Sequence, residues 1–201
     1  MDQEKELDLV GFFEEMNRES ERGLALVAAA QLEDMLFRIL KTFLCDRKAT
    51  ENDLLRSDRP LGNFSARIDA CFALGLIDEY EYRELTRVRQ VRDEFAHKRP
   101  GLTFADERVR SVCGGMVSPR PVPAGVKLPK GAVEGSPRFR FTNAVAHLTM
   151  RLYQRDVAVA AEQRVPMISS PWEGWQDVVY VSPGEERPDD VFVEGMRIRK
   201  Q

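Results

Sequence analysis

The feature that most constrains the fold of this chain is an apolar stripe in residues 18–44. Apolar side chains recur there at steps of three and four residues, the spacing that puts side chains on one face of an α-helix. The stripe is formed by Ala25, Ala28, Leu32, Met35, Ile39 and Phe43. Because a helix with one apolar face must bury it against other elements, the pattern predicts a core-facing helix in a helical bundle.

Two more helices are indicated between residues 60 and 97. Pro60 is expected to open the first of them, since proline is favoured in the first turn of a helix. Gly75 is expected to end it, because glycine adopts the left-handed conformation without strain. Asp78 and Glu81 have the spacing of a capping box, in which each side chain accepts a hydrogen bond from the other residue's backbone N–H. The helix that they start is expected to run to about His97.

The rest of the first 163 residues completes an all-α prediction. Short helices are expected at residues 7–16 and 103–114, and a longer one at residues 138–162. Residues 116–137 are rich in proline and glycine, which predicts a long loop. We therefore expect one helical bundle domain at residues 1–163 that includes this loop.

Residues 164–201 have a different pattern and predict a short C-terminal extension, irregular or β-containing, that packs on the bundle. The run at residues 178–181 favours a strand, and residues 191–193 are expected to pair with it. The two tryptophans of this segment are expected to staple it to the bundle, as buried aromatic side chains commonly do.

Composition limits the functional classes. Charged residues make up 31% of the chain, but the net charge is −3, whereas proteins that bind duplex DNA directly are usually basic. We therefore expect weak or no direct DNA binding. The longest apolar run, Leu24–Ala30, is too short to span a bilayer, and the acidic N-terminus lacks the core of a signal peptide, which favours a cytoplasmic protein without membrane contact.

The three cysteines, Cys45, Cys71 and Cys113, are widely spaced and form no Cys-x-x-Cys motif. This pattern indicates neither a disulfide framework nor a zinc site, and buried free thiols are the expectation. No metal and no cofactor are expected.

The segment that bears most on function is Arg92-Asp93-Glu94-Phe95-Ala96-His97. In one interpretation these residues cleave RNA. His97 would move a proton at the ribose 2′-hydroxyl or the leaving oxygen, Arg92 would stabilise charge on the phosphate, and Asp93 would orient the imidazole from four residues away.

In the other interpretation Arg92 belongs to a structural ion pair. It falls in line with apolar residues of its helix, and a buried guanidinium needs a partner. Glu21 is likewise a charge in line with the apolar stripe of residues 18–44. We hypothesise that Glu21 and Arg92 meet inside the bundle.

Several segments, in order along residues 12–155, resemble the mannitol operon repressor (MltR-like) family. These are residues 19–30, 60–68, 73–77, 92–97 and 103–104. The resemblance implies an all-helical bundle with a role in transcription regulation and no recognisable helix-turn-helix. It also implies action through an unidentified protein partner, and homodimerisation. Glu21, Arg22 and Arg92 are the candidate residues for binding or for the structural ion pair.

The same helix is similar to the HEPN superfamily, whose signature is an arginine, a polar residue, spacers and a histidine. Arg92, Asp93 and His97 match it residue by residue. That resemblance implies a metal-independent endoribonuclease, a toxin or defence component, in which these three residues are catalytic. The regulatory interpretation is favoured over the enzyme, and RNA cleavage stays the alternative.

Overall fold

The structure, a computed structural model, describes residues 9–45, 48, 51–97, 101–117, 135–164, 178–179, 190–193 and 196–199. Helices dominate the part before residue 165. Their bounds are α1 Leu9–Arg18, α2 Glu21–Phe43, α3 Phe64–Ala73, α4 Glu79–His97, α5 Glu107–Gly114 and α6 Pro137–Val159. A short π-helical turn at Glu51–Leu55 precedes α3, and a 3-10 turn at Ala160–Glu162 follows α6.

Helix α2 lies at the centre of the bundle and packs against α1, α3, α4 and α6. The predicted stripe faces the core. Its residues from Ala25 to Ile39 are at most 1% exposed, and Phe43 is 4% exposed. The all-α bundle is therefore confirmed.

Capping residues explain where several of these helices begin. The Ser20 side chain accepts a hydrogen bond from the Gly23 N–H and separates α1 from α2. The predicted capping box of α4 is confirmed in both directions, with Asp78 accepting from the Glu81 N–H at 2.9 Å and Glu81 accepting from the Asp78 N–H at 2.8 Å. Gly75 has a φ of +73°, the left-handed conformation that was predicted for it.

Two helix starts differ from the prediction. Helix α3 begins at Phe64 rather than at Pro60, because the side chain of Asn63 caps it by accepting from the Ala66 N–H. Helix α5 begins at Glu107 rather than at Thr103. Asp106 is its N-cap residue and turns its carboxylate back to the Thr103 N–H, at 2.7 Å.

A row of three aromatic rings joins the later helices. Phe95 on α4 lies 5.1 Å from Phe104, and Phe104 lies 5.2 Å from Phe141 on α6. All three are buried, so this row fixes the turn between α4 and α5 against α6. The buried thiols expected at Cys71 and Cys113 are confirmed, and burial raises the pKa of each to about 12. The same expectation is wrong for Cys45, which is only half-buried after the end of α2.

The chain divides into two compact units, residues 1–164 and 165–201. The second unit contains the strands β1 Val178–Val179, β2 Asp190–Val193 and β3 Met196–Arg199. The strand order is β1-β3-β2, with both pairings antiparallel. The predicted direct pairing of the first two strands is wrong, because β2 pairs with β3, from which only two residues separate it along the chain.

Two predictions fall outside the described residues, namely most of the loop at 116–137 and the contacts of Trp172 and Trp175. The packing of the extension on the bundle stays a prediction. Of the helices that the structure describes, none has the length and apolar character that a bilayer crossing requires.

Candidate functional site at the end of helix α4

Arg92 lies on the part of α4 that faces α2. Leu85, Val88 and Phe95 of the same helix are fully buried, whereas the Arg92 side chain is 30% exposed. Its Nη1 donates to Oδ1 of Asp93 at 2.9 Å, and its Nη2 lies 3.7 Å from Oε2 of Glu33 on α2. The guanidinium is therefore neutralised by two carboxylates, as the structural interpretation requires.

The partner of Arg92 on α2 is Glu33, and the predicted pairing with Glu21 is wrong. Oε2 of Glu21 accepts from the Phe104 N–H at 2.8 Å and so holds the turn after α4. Glu33 lies twelve residues, about 18 Å, further along α2. Glu33, rather than Glu21, is thus level with Arg92. Arg22 is half-buried beside Glu21 in the first turn of α2.

Arg67 of α3 connects Glu33 to the loop before α3. Its Nη1 lies 3.3 Å from Oε1 of Glu33, its Nε donates to the carbonyl of Leu61 at 2.9 Å, and its Nη2 donates to the carbonyl of Leu55 at 3.1 Å. The guanidinium also stacks 5.1 Å from the ring centre of Phe37. The Arg67 side chain is only 11% exposed, so these contacts hold it in a largely buried position.

Asp93 is held by arginines on both sides. Besides Arg92 at Oδ1, Nη1 of Arg89 donates to Oδ2 at 2.9 Å. The contact expected between Asp93 and His97 is therefore replaced by two arginine contacts, and His97 is exposed as the last residue of α4. We call Glu33, Arg67, Arg89, Arg92 and Asp93 the acid–arginine cluster. It ties α2, α3 and α4 together.

A cavity of about 380 Å³ lies between α4 and α5 next to this cluster. Its lining residues are Gln90, Asp93, Glu94, Arg108, Ser111 and Val112. Two of these residues, Arg108 and Glu94, form an ion pair at 3.6 Å. Asp93 is thus the one member of the acid–arginine cluster among these lining residues.

Sequence reasoning missed a second group of charges, between α4 and α6. Glu81 is fully buried, and its Oε1 accepts from Nε of Arg151 at 2.8 Å. Arg155 lies 3.2 Å from the other oxygen of Glu81, and both arginines also pair with Asp78. The four-residue spacing of Arg151 and Arg155 on one helix is the only signal that could have indicated a shared acidic partner.

Glu84 is a further buried acid that the sequence did not single out. It is 1% exposed, and its Oε1 pairs with Arg87 and accepts from the Val117 N–H at 3.5 Å. Burial raises the pKa of this carboxyl, while the charge of Arg87 opposes the rise. The pKa of Tyr80, one turn earlier, is raised to about 12, mainly by burial and also by the charge of Glu84.

The described helices and their shared core place the chain in the class of all-α bundles. The family of this chain follows from the comparisons. The family model described as "Mannitol repressor" matches residues 18–120, just over half of the chain, and the chain therefore belongs to that family. The resemblance to the mannitol operon repressor family is thus confirmed.

The structural comparison agrees on the fold. The chain is similar to a chain in the X-ray structure of the MtlR–HPr complex from Escherichia coli, with 21% sequence identity and a TM-score of 0.50. The match covers 76% of this chain and 98% of that one. A search among curated protein sequences gave no significant match.

Proposed function

We propose that this chain is a cytoplasmic, homodimeric regulator of transcription that acts by binding a protein partner, and that this partner is an HPr protein. The observation that carries the proposal is the mannitol repressor match over residues 18–120. The similar chain of known structure was solved in complex with HPr, which names the partner to test. The net charge of −3 supports contact with protein rather than with duplex DNA.

The acid–arginine cluster supports binding over catalysis. A phosphate that approached Arg92 would meet the carboxylates of Glu33 and Asp93, which already compensate the arginine charge. Their negative charges repel an anion and so lower the free energy that Arg92 can contribute to phosphate binding. The cluster therefore fits a role in holding three helices in register.

Isothermal titration calorimetry with the HPr protein of the same genome tests the proposal. We expect saturable binding by the full chain and no sequence-selective shift of promoter DNA at physiological salt. An unrelated small protein of similar charge serves as the control. Absence of heat with HPr, or tight sequence-selective DNA binding by the chain alone, would overturn the proposal.

The alternative is an endoribonuclease. Two observations favour it, the exposure of His97 at the end of α4 and the open cavity beside Asp93. Under this alternative RNA is the substrate, and Arg92, Asp93 and His97 are the catalytic residues. Cleavage of mixed RNA in the presence of a chelator separates the two functions.

A further inference from the structure

The outward face of α6 is uncharged along most of its length. Met150, Tyr153 and Val157 on this face are 46%, 41% and 66% exposed, in a chain of which 31% is charged. Phe139 and Ala146 are half-buried on the same side of the helix. A surface helix normally turns charged and polar side chains to water, so a face of this kind indicates a contact surface.

The charged residues of α6 lie beside this face and bind groups of the same protomer. Arg138 donates to the carbonyl of Glu19, Arg140 to that of Gly135, and Asp156 accepts from Thr42. Arg151 and Arg155 pair with Glu81, a fully buried acid of α4. The charges of α6 thus lie outside this face, which is left uncharged.

The spacing of the outward residues is that of a two-helix seam. Residues 139, 143, 146, 150, 153 and 157 follow one another at alternating steps of four and three. This is the heptad pattern that lets the side chains of one helix fit between those of another. From Phe139 to Val157 the seam is about 27 Å long.

The seam is complementary to itself when two copies run antiparallel. If Leu148 marks the level of the two-fold axis, Phe139 faces Val157 and Ala146 faces Met150 of the second copy, so that a large side chain meets a smaller one in both pairs. A surface patch that is complementary to itself in this way is what a two-fold symmetric dimer requires.

We propose that α6 forms an antiparallel seam with α6 of a second copy of this chain and thereby makes the homodimer. The proposal rests on the proposed function in one respect: the homodimer is part of that function, and the seam identifies its interface. Two helices in contact over this length bury about 1,000 Å² in total, the lower limit for a specific interface. The dimer is therefore expected to dissociate on dilution.

Sedimentation equilibrium of the full chain over a wide concentration range tests the seam. The wild type should approach twice the chain mass of 23.0 kDa at high concentration. Met150→Glu and Val157→Glu should stay at the mass of one chain, with the helical circular dichroism of the wild type. Leu74→Glu, at a residue 45% exposed outside α6, is the matched control and should dimerise normally.

Crosslinking gives a readout that does not depend on destabilising charges. In a Cys45→Ser background, Phe139→Cys together with Val157→Cys should form an intermolecular disulfide dimer on mild oxidation. Ala146→Cys with Val157→Cys should not, because these positions do not face each other in the antiparallel register. A wild type that is monomeric throughout, or a dimer that Met150→Glu leaves intact, would overturn the seam.

The failure of this proposal can be distinguished from the failure of the proposed function. If HPr binds a monomeric wild type and Met150→Glu abolishes that binding, the face belongs to the protein partner, and the second copy is excluded as its occupant. If HPr does not bind but the masses and crosslinks are as expected, the seam stands and the partner assignment falls.

Discussion

Glu81 offers the most quantitative test of how the bundle is held together. Its carboxylate accepts from the Asp78 N–H and from Nε of Arg151, both at 2.8 Å, and lies 3.2 Å from Arg155. The residue itself is fully buried. Replacing it with alanine removes one half of the capping box of α4 and leaves two arginines of α6 with Asp78 as their acidic partner.

The expected loss can be estimated from these contacts. The cap contributes about 1 kcal/mol, and a hydrogen bond to a charged group contributes about 1.5–3 kcal/mol. The side chains of Arg151 and Arg155 are 33% and 36% exposed, so water takes over part of their solvation and the arginine contribution must be reduced. We expect Glu81→Ala to lower the free energy of unfolding by about 3 kcal/mol, which for a chain of this size corresponds to a Tm decrease of roughly 6–12 °C.

Urea unfolding followed by circular dichroism measures this loss. Glu79→Ala is the matched control, because Glu79 lies in the same turn of α4 but makes only a weak ion pair. Its side chain is 64% exposed, and its distance to Arg83 is as long as 3.9 Å. We expect the control to change stability by less than about 0.5 kcal/mol. If Glu81→Ala lowers the free energy of unfolding no more than Glu79→Ala does, the contacts of Glu81 with Arg151 and Arg155 do not stabilise the packing of α4 on α6.

Three further predictions concern other contacts. Glu84→Gln should alter the pH dependence of stability: since the folded pKa is raised above the ordinary value of 4.5, the wild type should gain stability relative to the variant as pH falls from neutral through the folded pKa. A constant difference across that range in urea titrations would contradict it. In a double-mutant cycle, Glu33→Gln and Arg92→Gln should show a favourable coupling free energy of about 0.5 kcal/mol. The value is small because both side chains are partly exposed. A coupling of zero would show that this ion pair does not contribute to stability. Phe104→Ala should cost about 3–5 kcal/mol, as the middle ring of the aromatic row is deleted, and a thermal scan with a small Tm change would show that the row can collapse around the gap.

The helices could be predicted from the sequence because their signals are local. The apolar stripe of α2 and the Asp78–Glu81 capping box each lie within a few turns of one helix, and neither needs knowledge of the rest of the chain. The prediction that α3 starts at Pro60 is wrong because two local signals compete. Asn63, which caps by a side-chain hydrogen bond, prevailed over the proline three residues earlier.

The candidate site was less predictable, because it depends on how far one helix is shifted along another. Glu21 and Glu33 both lie on α2, and only the packing of α2 against α4 decides which of them is level with Arg92. Arg67 gave no sequence signal, since two of its acceptors are backbone carbonyls in the loop before α3. The contact of Glu81 with Arg151 spans 70 residues of chain and is equally invisible to local patterns.

We propose that Arg92 holds helices together and that the chain acts by binding. Mixed RNA incubated with the protein in excess chelator tests it most directly, with the wild type compared against Arg92→Ala and His97→Ala. We expect RNA incubated with any of the three proteins to stay as intact as RNA in buffer alone. Cleavage by the wild type that is lost in both variants would instead establish a nuclease.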